Sequence, residues 1–448
     1  MRKIVIKQAS VVNEGEIKTT DVLIKDERIE KIASTIQDSN AFEIVAEGLY
    51  LLPGVIDDQV HFREPGLTHK ATIQSESKAA VAGGITSFMD MPNTIPNTLT
   101  RELLEEKYQI ASATSLANYS FFMGINQENL DEALRIDNEW VCGITDDGLY
   151  FNSDKGILAN YPEYLEQVFS RSDSLIALHC EDDEIIHRNF LECKQKFGSE
   201  MPISAHPIIR SEEACFKATQ RVVELARKHQ NRLHIFHIST ELETGLFEAD
   251  IPVERKKITA EACVHHLWFS DFDYDKLGSW IKWNPAVKKA SDRDGLLTGL
   301  RSGHLDIIAT DHAPHTVVEK SGSYQQAMSG GPLVQHALPA MLSLVKQGKI
   351  TLPELVKFMS HHVAELYKIM DRGYIREGYY ADLVLVNMNK DWMVQQDNLL
   401  YACGWSPFLG TKMFATIHKT FVNGKIVYNE GIFNPDLVCK RLQFSKFR

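Results

Sequence analysis

Leu305-Asp306-Ile307-Ile308-Ala309-Thr310-Asp311-His312-Ala313-Pro314-His315 is a short apolar run that empties into one carboxylate and two imidazoles. The run has the branched apolar residues of a buried strand. Pro314 cannot donate to a continuing ladder and biases Ala313 towards an extended backbone, so the strand stops where the ionisable groups begin. A lone junction of this kind reads as a polar turn after a core strand. Here it is one of a series.

Working outward, residues 55–61, 87–91, 119–125, 141–145, 175–178, 233–238 and 257–261 are further short apolar runs. Between most of them lie helix-length amphipathic stretches such as 76–82, 101–113, 162–169 and 212–228, and helical segments at 335–346 and 353–370 follow the last run. Strands alternating with helices imply right-handed βαβ crossovers and a parallel sheet. Eight such runs predict an α/β fold of the closed (β/α)8 kind. The two ends of the chain have another texture. Residues 3–8, 21–25, 28–32, 381–386 and 415–428 are rich in β-formers, with turns at Asp26-Glu27 and Asn423-Gly424. Since single hairpins are marginal alone, both termini are expected to build one small β-sandwich. The predicted division is 1–52 and 371–448 for the sandwich and 53–370 for the barrel.

A chain of 448 residues with 44% apolar content can bury a large core. It holds no run of ~18 uncharged apolar residues, and charge returns at Lys7 before a signal-peptide core could form, so a cytoplasmic protein without membrane contact is expected. The seven cysteines are scattered and never spaced C-x-x-C, which suits reduced thiols and argues against a cysteine-based zinc site. A net charge of −12 disfavours nucleic acid, and a small anionic substrate would need local cations to override the global field.

In barrels of this kind chemistry sits at the carboxyl-terminal rim of the strands. Those positions are His61, Asn93, Asp147, His179, His237 and Asp311. Histidine and aspartate are good ligands for zinc, and two ions sharing a carboxylate are a recurrent hydrolytic design. A carboxylate beside the attacking water can take its proton and return it to a leaving nitrogen; Asp311 is placed for that role. His265-His266 reads as a structural pair near the rim, and His361-His362 as packing within a helix. His234, three residues before His237 on a strand, faces the other side.

These residues carry a resemblance. Asp57-Asp58-Gln59-Val60-His61-Phe62-Arg63-Glu64-Pro65-Gly66, Met91-Pro92-Asn93-Thr94, Thr145-Asp146-Asp147-Gly148, His179-Cys180-Glu181-Asp182, His237-Ile238-Ser239-Thr240, Asn284-Pro285 and Asp311-His312-Ala313-Pro314-His315 together resemble the dihydroorotases of the amidohydrolase superfamily, of the longer bacterial type. Asp382-Leu383-Val384 and Ser406-Pro407-Phe408 resemble that family's C-terminal signature, so the likeness spans nearly the whole chain. It implies a zinc enzyme of pyrimidine biosynthesis that interconverts L-dihydroorotate and N-carbamoyl-L-aspartate. It implies that His61 and Asp311 hold the more buried ion, that His179 and His237 hold the other, and that Asp147 bridges them. Arg63, Asn93 and His315 would grip the substrate carboxylate and Asn284 the ring amides, with His61 also near substrate. Ser329-Gly330, in the Gly-rich segment 321–331, matches a loop that closes over substrate. A homodimer is implied as well.

One residue departs from the pattern. The family places histidine first in a His-x-His pair, and this chain has Gln59 there. Strand alternation still aims residues 59 and 61 to one face. A neutral amide is a poorer zinc ligand than imidazole. The expectation is therefore one or two zinc ions per chain, with Gln59 a weak ligand or a donor behind the ligands. Two other readings stand beside this one. A cyclic-ureide hydrolase of the allantoinase or hydantoinase type would share the barrel but has no need of Arg63. A non-catalytic scaffold for a partner transcarbamoylase would explain Gln59 but not the retention of the other rim residues.

Overall fold

The computed structural model describes residues 3–149, 158–434, 436 and 439–446. Eight parallel strands form the barrel: Val55–Val60, Ile85–Asp90, Asn118–Phe121 continuing into Met123–Gly124, Ile144–Thr145, Ile176–Leu178, Leu233–Ile235, Ile258–Cys263 and Ile307–Ala309. The ring closes where the eighth strand meets the first. His61 N–H donates to His312 O at 2.7 Å, and Thr310 donates through its backbone and hydroxyl to Asp57 at 3.1 and 2.6 Å. All six residues of the first strand are buried, as a parallel strand covered on both faces requires.

Helices begin where side chains can take up their free N–H groups. Thr72, Thr100, Asp182 and Ser211 cap Ile73–Ala82, Arg101–Thr114, Asp183–Phe197 and Glu212–His229, each accepting from the third residue beyond it. The helix expected over 353–370 is broken. Leu352–Val356 widens into a π-turn at Lys357–His361 before His362–Tyr367 resumes. At this widening His361 stacks on Tyr374 with ring centroids 4.1 Å apart, and Ser360 donates to Gly54 O at 3.1 Å. The last turn closes the amino-terminal end of the barrel. His362 contacts Asp306 O and Arg232 contacts Leu366 O, both at strand entrances, while Tyr367 packs with Met89, Met91, Phe122 and Phe236 inside.

Both termini contribute to one nine-stranded sheet. Its order runs Ile432–Phe433, Lys425–Asn429, Thr416–Val422, Leu383–Asn387, Tyr50–Pro53, Lys3–Asn13, Glu16–Lys25, Arg28–Ala33, with Phe42–Val45 beside Lys3–Asn13. The seam between the two ends is the antiparallel pairing of Leu383 with Pro53 through Val386 with Tyr50. Asn423 and Gly424, at φ 47° and 74°, make the tight hairpin turn that their sequence predicts. No helix among the described residues is long and apolar enough to cross a membrane.

Candidate active site

The rim residues converge. His61, Arg63, Asn93, Asp147, Asn284, Asp311, His315, Ser329 and Gly330 line one cavity at the carboxyl-terminal end of the barrel. Arg63, His237 and Asp311 all have positive φ, at 70°, 40° and 49°. Branched or bulky residues avoid that region, and where they occupy it at a rim the surrounding fold holds them there.

Behind the cavity Asp147 is the hub. His61 Nε2 lies 3.3 Å from Asp147 Oδ2 and 3.2 Å from Asp311 Oδ1. On the other side His179 Nδ1 and His237 Nε2 lie 3.7 and 3.9 Å from Asp147 Oδ1 and 2.9 Å from each other. Burial would lower the His61 imidazole, but its hydrogen bonds to Asp147 and Asp311 win and raise it to about 9. His237 is likewise raised to about 8 against burial by Asp147. This pocket of carboxylates calls for positive charge.

Tautomers are set from outside. Glu181 Oε2 is 2.8 Å from His179 Nε2, which fixes the proton there and turns the Nδ1 lone pair towards His237. Glu181 is itself held by Arg210; burial would raise its carboxyl, yet Arg210 and His179 keep it well below the ordinary range. Asn93 Oδ1 takes the Nδ1 proton of His61 at 2.8 Å, leaving Nε2 for the carboxylates. Gly148 (φ 72°) makes room for this: a Cβ there would fall 2.2 Å from Asn93 Nδ2. A divalent ion therefore fits the donor set, since Asp147, His179 and His237 present ligand atoms within 4.8 Å of one another. Gln59 is turned otherwise. Its Nε2 donates to Asp147 Oδ2 at 3.2 Å while its Oε1 accepts from Cys263.

The far wall of the cavity is cationic. Arg63 Nη2 lies 3.3 Å from His315 Nε2, and Lys70 Nζ lies 3.2 Å from His315 Nδ1. Burial, then Arg63 and Lys70, push His315 well below its ordinary value, so the ring is neutral. A neutral imidazole can accept at only one nitrogen. Lys70 is paired besides with Glu319 at 2.9 Å, and Arg63 Nε donates to Pro314 O at 3.1 Å. Arg63, with no carboxylate partner among the described residues, is the cation that an anion in the cavity would meet. Asn284 Oδ1 is buried without a hydrogen-bond partner at the same wall.

Sequence reasoning missed Lys70, which follows Arg63 by seven residues, and Trp283, whose indole donates to Asp311 O at 3.3 Å. It also missed the anchoring of the Gly-rich segment. Lys320, fully buried, donates to the carbonyls of Lys282, Met328 and Gly330 at 3.3, 2.8 and 2.7 Å. Lys282 donates to Tyr324 O and Ala327 O at 2.7 and 2.6 Å. The segment thus already stands against the cavity, held by two buried ammonium groups. His265 and His266 lie behind this wall as read from sequence, His265 stacked on Trp283 at 4.5 Å and His266 donating to Pro285 O.

Comparison with known proteins agrees with this geometry. Residues 50–427 match the model of the amidohydrolase family. The chain is 30% identical to a dihydroorotase of Methanosarcina acetivorans, over 97% of this chain and 94% of that protein. It is 34% identical to a dihydroorotase of Lactococcus lactis subsp. lactis, over 91% and 94%. Among solved structures it superposes on the L-hydantoinase of Arthrobacter aurescens with TM-score 0.90 at 25% identity, covering 97% of this chain and 98% of that one. A dihydropyrimidinase from Brevibacillus agri, 22% identical with TM-score 0.86 over 99% and 100%, shares the fold. With a rim of histidines and aspartates on such a barrel, and dihydroorotases among its sequence relatives, the chain belongs to the amidohydrolase family as a cyclic amidohydrolase.

Proposed function

We propose that this chain is a dihydroorotase, hydrolysing L-dihydroorotate to N-carbamoyl-L-aspartate and closing the ring in the reverse, biosynthetic direction. The observation that carries the reading is the pair of cations, Arg63 and Lys70, bracketing the neutral ring of His315. Their chemistry suits a substrate carboxylate, which Arg63 can grip as a fork and Lys70 as a point charge. Asn93, its oxygen engaged by His61, can add an amide N–H. The orphaned Asn284 Oδ1 suits a ring N–H.

On this reading His61, Asp147, His179, His237 and Asp311 hold zinc, with the best-formed donor set at Asp147, His179 and His237. Zinc held there supplies Lewis acidity towards the ring carbonyl. Asp311 takes the proton as water adds to the carbonyl carbon. It returns that proton to the ring nitrogen as the C–N bond breaks. Trp283, bonded to Asp311 O, and the wall at Ser329 and Gly330 keep Asp311 in place and limit access of bulk water. Residues 53–370 form the catalytic barrel and residues 1–52 and 371–448 its supporting domain.

A second reading, hydrolysis of an uncharged cyclic ureide, is favoured by the structural likeness to hydantoinase. It gives Arg63, which pairs with no carboxylate among the described residues, no anion to hold, whereas Lys70 has Glu319 at 2.9 Å. Arg63→Lys distinguishes the two. Replacing the fork by a point contact should raise KM for dihydroorotate about tenfold or more, as the loss of ~1.5–3 kcal/mol in a charged hydrogen bond implies, with zinc content unchanged. Unaltered Michaelis parameters on dihydroorotate would remove the carboxylate assignment.

A further inference from the structure

We propose a second, closed site for a divalent cation inside the barrel, made by Asp58, His234 and Glu261. These side chains come from the first, sixth and seventh strands, and each is 0% exposed. They lie in the layer beneath the rim, where Glu261 Oε1 accepts from the backbone N–H of His237 at 3.0 Å. Their ligand atoms fall within 4.8 Å of one another, and the site is independent of the substrate assigned above.

Three observations point to an ion. The first is the convergence of His234 on two carboxylates, its Nε2 lying 3.1 Å from Glu261 Oε2 and 3.5 Å from Asp58 Oδ2. The Thr259 hydroxyl lies 2.9 Å from His234 Nδ1 and 3.3 Å from Leu233 O. When it donates to the carbonyl, the ring proton sits on Nδ1 and the Nε2 lone pair is free to bind an ion.

The second is the geometry. A tetrahedral ion with bonds of ~2.1 Å separates its ligands by roughly 3.4 Å, close to both distances. The hydroxyl of Tyr367 donates to Asp58 Oδ2 at 2.8 Å and fixes the direction of that carboxylate, as partners behind a metal ligand do.

The third is an orphan. Asp58 Oδ1 is buried and accepts from no donor, although an uncompensated oxygen in a dry interior costs about 1–3 kcal/mol or more. Among the described residues the one basic side chain within ion-pair distance of Asp58 or Glu261 is His234 itself. With one imidazole and two carboxylates the donor set suits zinc. Protons on the carboxyls are the competing occupants, and the experiment separates the two.

The full-length protein, loaded with zinc, would be compared with His179→Asn/His237→Asn, which removes two rim imidazoles. After exhaustive dialysis against a chelator the double variant should keep about one zinc per chain, because a closed site releases its ion only on opening. Adding His234→Gln should bring that zinc to zero. Crystals of the unaltered protein measured at the zinc edge should show an anomalous peak at His234 Nε2, a readout that needs no variant to fold. A rim variant free of zinc, or crystals with anomalous density at the rim and none between Asp58, His234 and Glu261, would overturn the proposal.

Discussion

Gln59 Nε2 donates to Asp147 Oδ2 across 3.2 Å, so the side chain that stands where a first rim histidine would be expected spends its amide on the hub carboxylate. Its oxygen is taken by Cys263. The position shared by Gln59, His61 and Asp311 therefore has one imidazole fewer than the position made by Asp147, His179 and His237.

Gln59→His should raise zinc occupancy on the His61 side, because imidazole is the better ligand. The check is metal stoichiometry, with crystallographic occupancies, at equal free zinc. Two fully occupied ions in the unaltered protein, one bound through Gln59, would contradict the weak first position.

Asp311→Asn should abolish turnover while leaving the fold and the His179/His237 metal in place, since an amide cannot carry the proton. General-base contributions run at ~10²–10⁴-fold, so a variant retaining more than about a tenth of the rate would mean another group is the base. Single-turnover rates with zinc content measured on the same sample decide it.

Lys320→Met should loosen the wall at Met328–Gly330 without touching zinc. Met328 O and Gly330 O lose their donor, each worth about 1–3 kcal/mol when left unpaired in the interior, while Lys282 O keeps the Gly330 N–H at 2.8 Å. A several-fold rise in KM, faster amide exchange over 321–331 and unchanged metal content are expected. Normal exchange in that segment would show that the ammonium group is not what holds it.

His336 predicts an acid-sensitive fold. Burial alone lowers it to about 3, and Tyr401 and Ser406 contact its Nδ1 at 2.9 and 3.2 Å. The unfolded chain takes up a proton near pH 6.5 that the folded chain refuses, so stability is lost as pH falls from 6.5 towards 3, at up to ~1.4 kcal/mol per pH unit. Urea midpoints measured between pH 7 and 4 should fall less steeply in His336→Gln. Equal slopes would assign the acid sensitivity elsewhere.

Much of this was legible in the residues. The run ending at Asp311 and its seven counterparts gave barrel strands because parallel strands buried on both faces are short and apolar, and their ends marked the rim. What stayed hidden depends on neighbours across strands. Lys70 reads as an ordinary surface lysine until the fold sets it against His315. Lys282, between Ile281 and Trp283, and Lys320, just before the Gly-rich segment, look like ordinary solvated lysines, yet both are buried against backbone carbonyls. His234 reads as pointing away from the rim, and the sequence cannot say that Asp58 and Glu261 meet it from two other strands. The break in the helix expected over 353–370 escaped notice because its periodicity is continuous while His361 and Ser360 are drawn to tertiary partners.

The most direct test of the account is the steady-state rate of the purified, zinc-loaded protein on L-dihydroorotate beside its rate on an uncharged hydantoin. Two buried cations facing the cavity should favour the carboxylated ring by roughly 10²-fold or more in kcat/KM, the discrimination that a site built for a polar group imposes on an analogue lacking it. Equal or faster turnover of the uncharged ring would contradict the assignment.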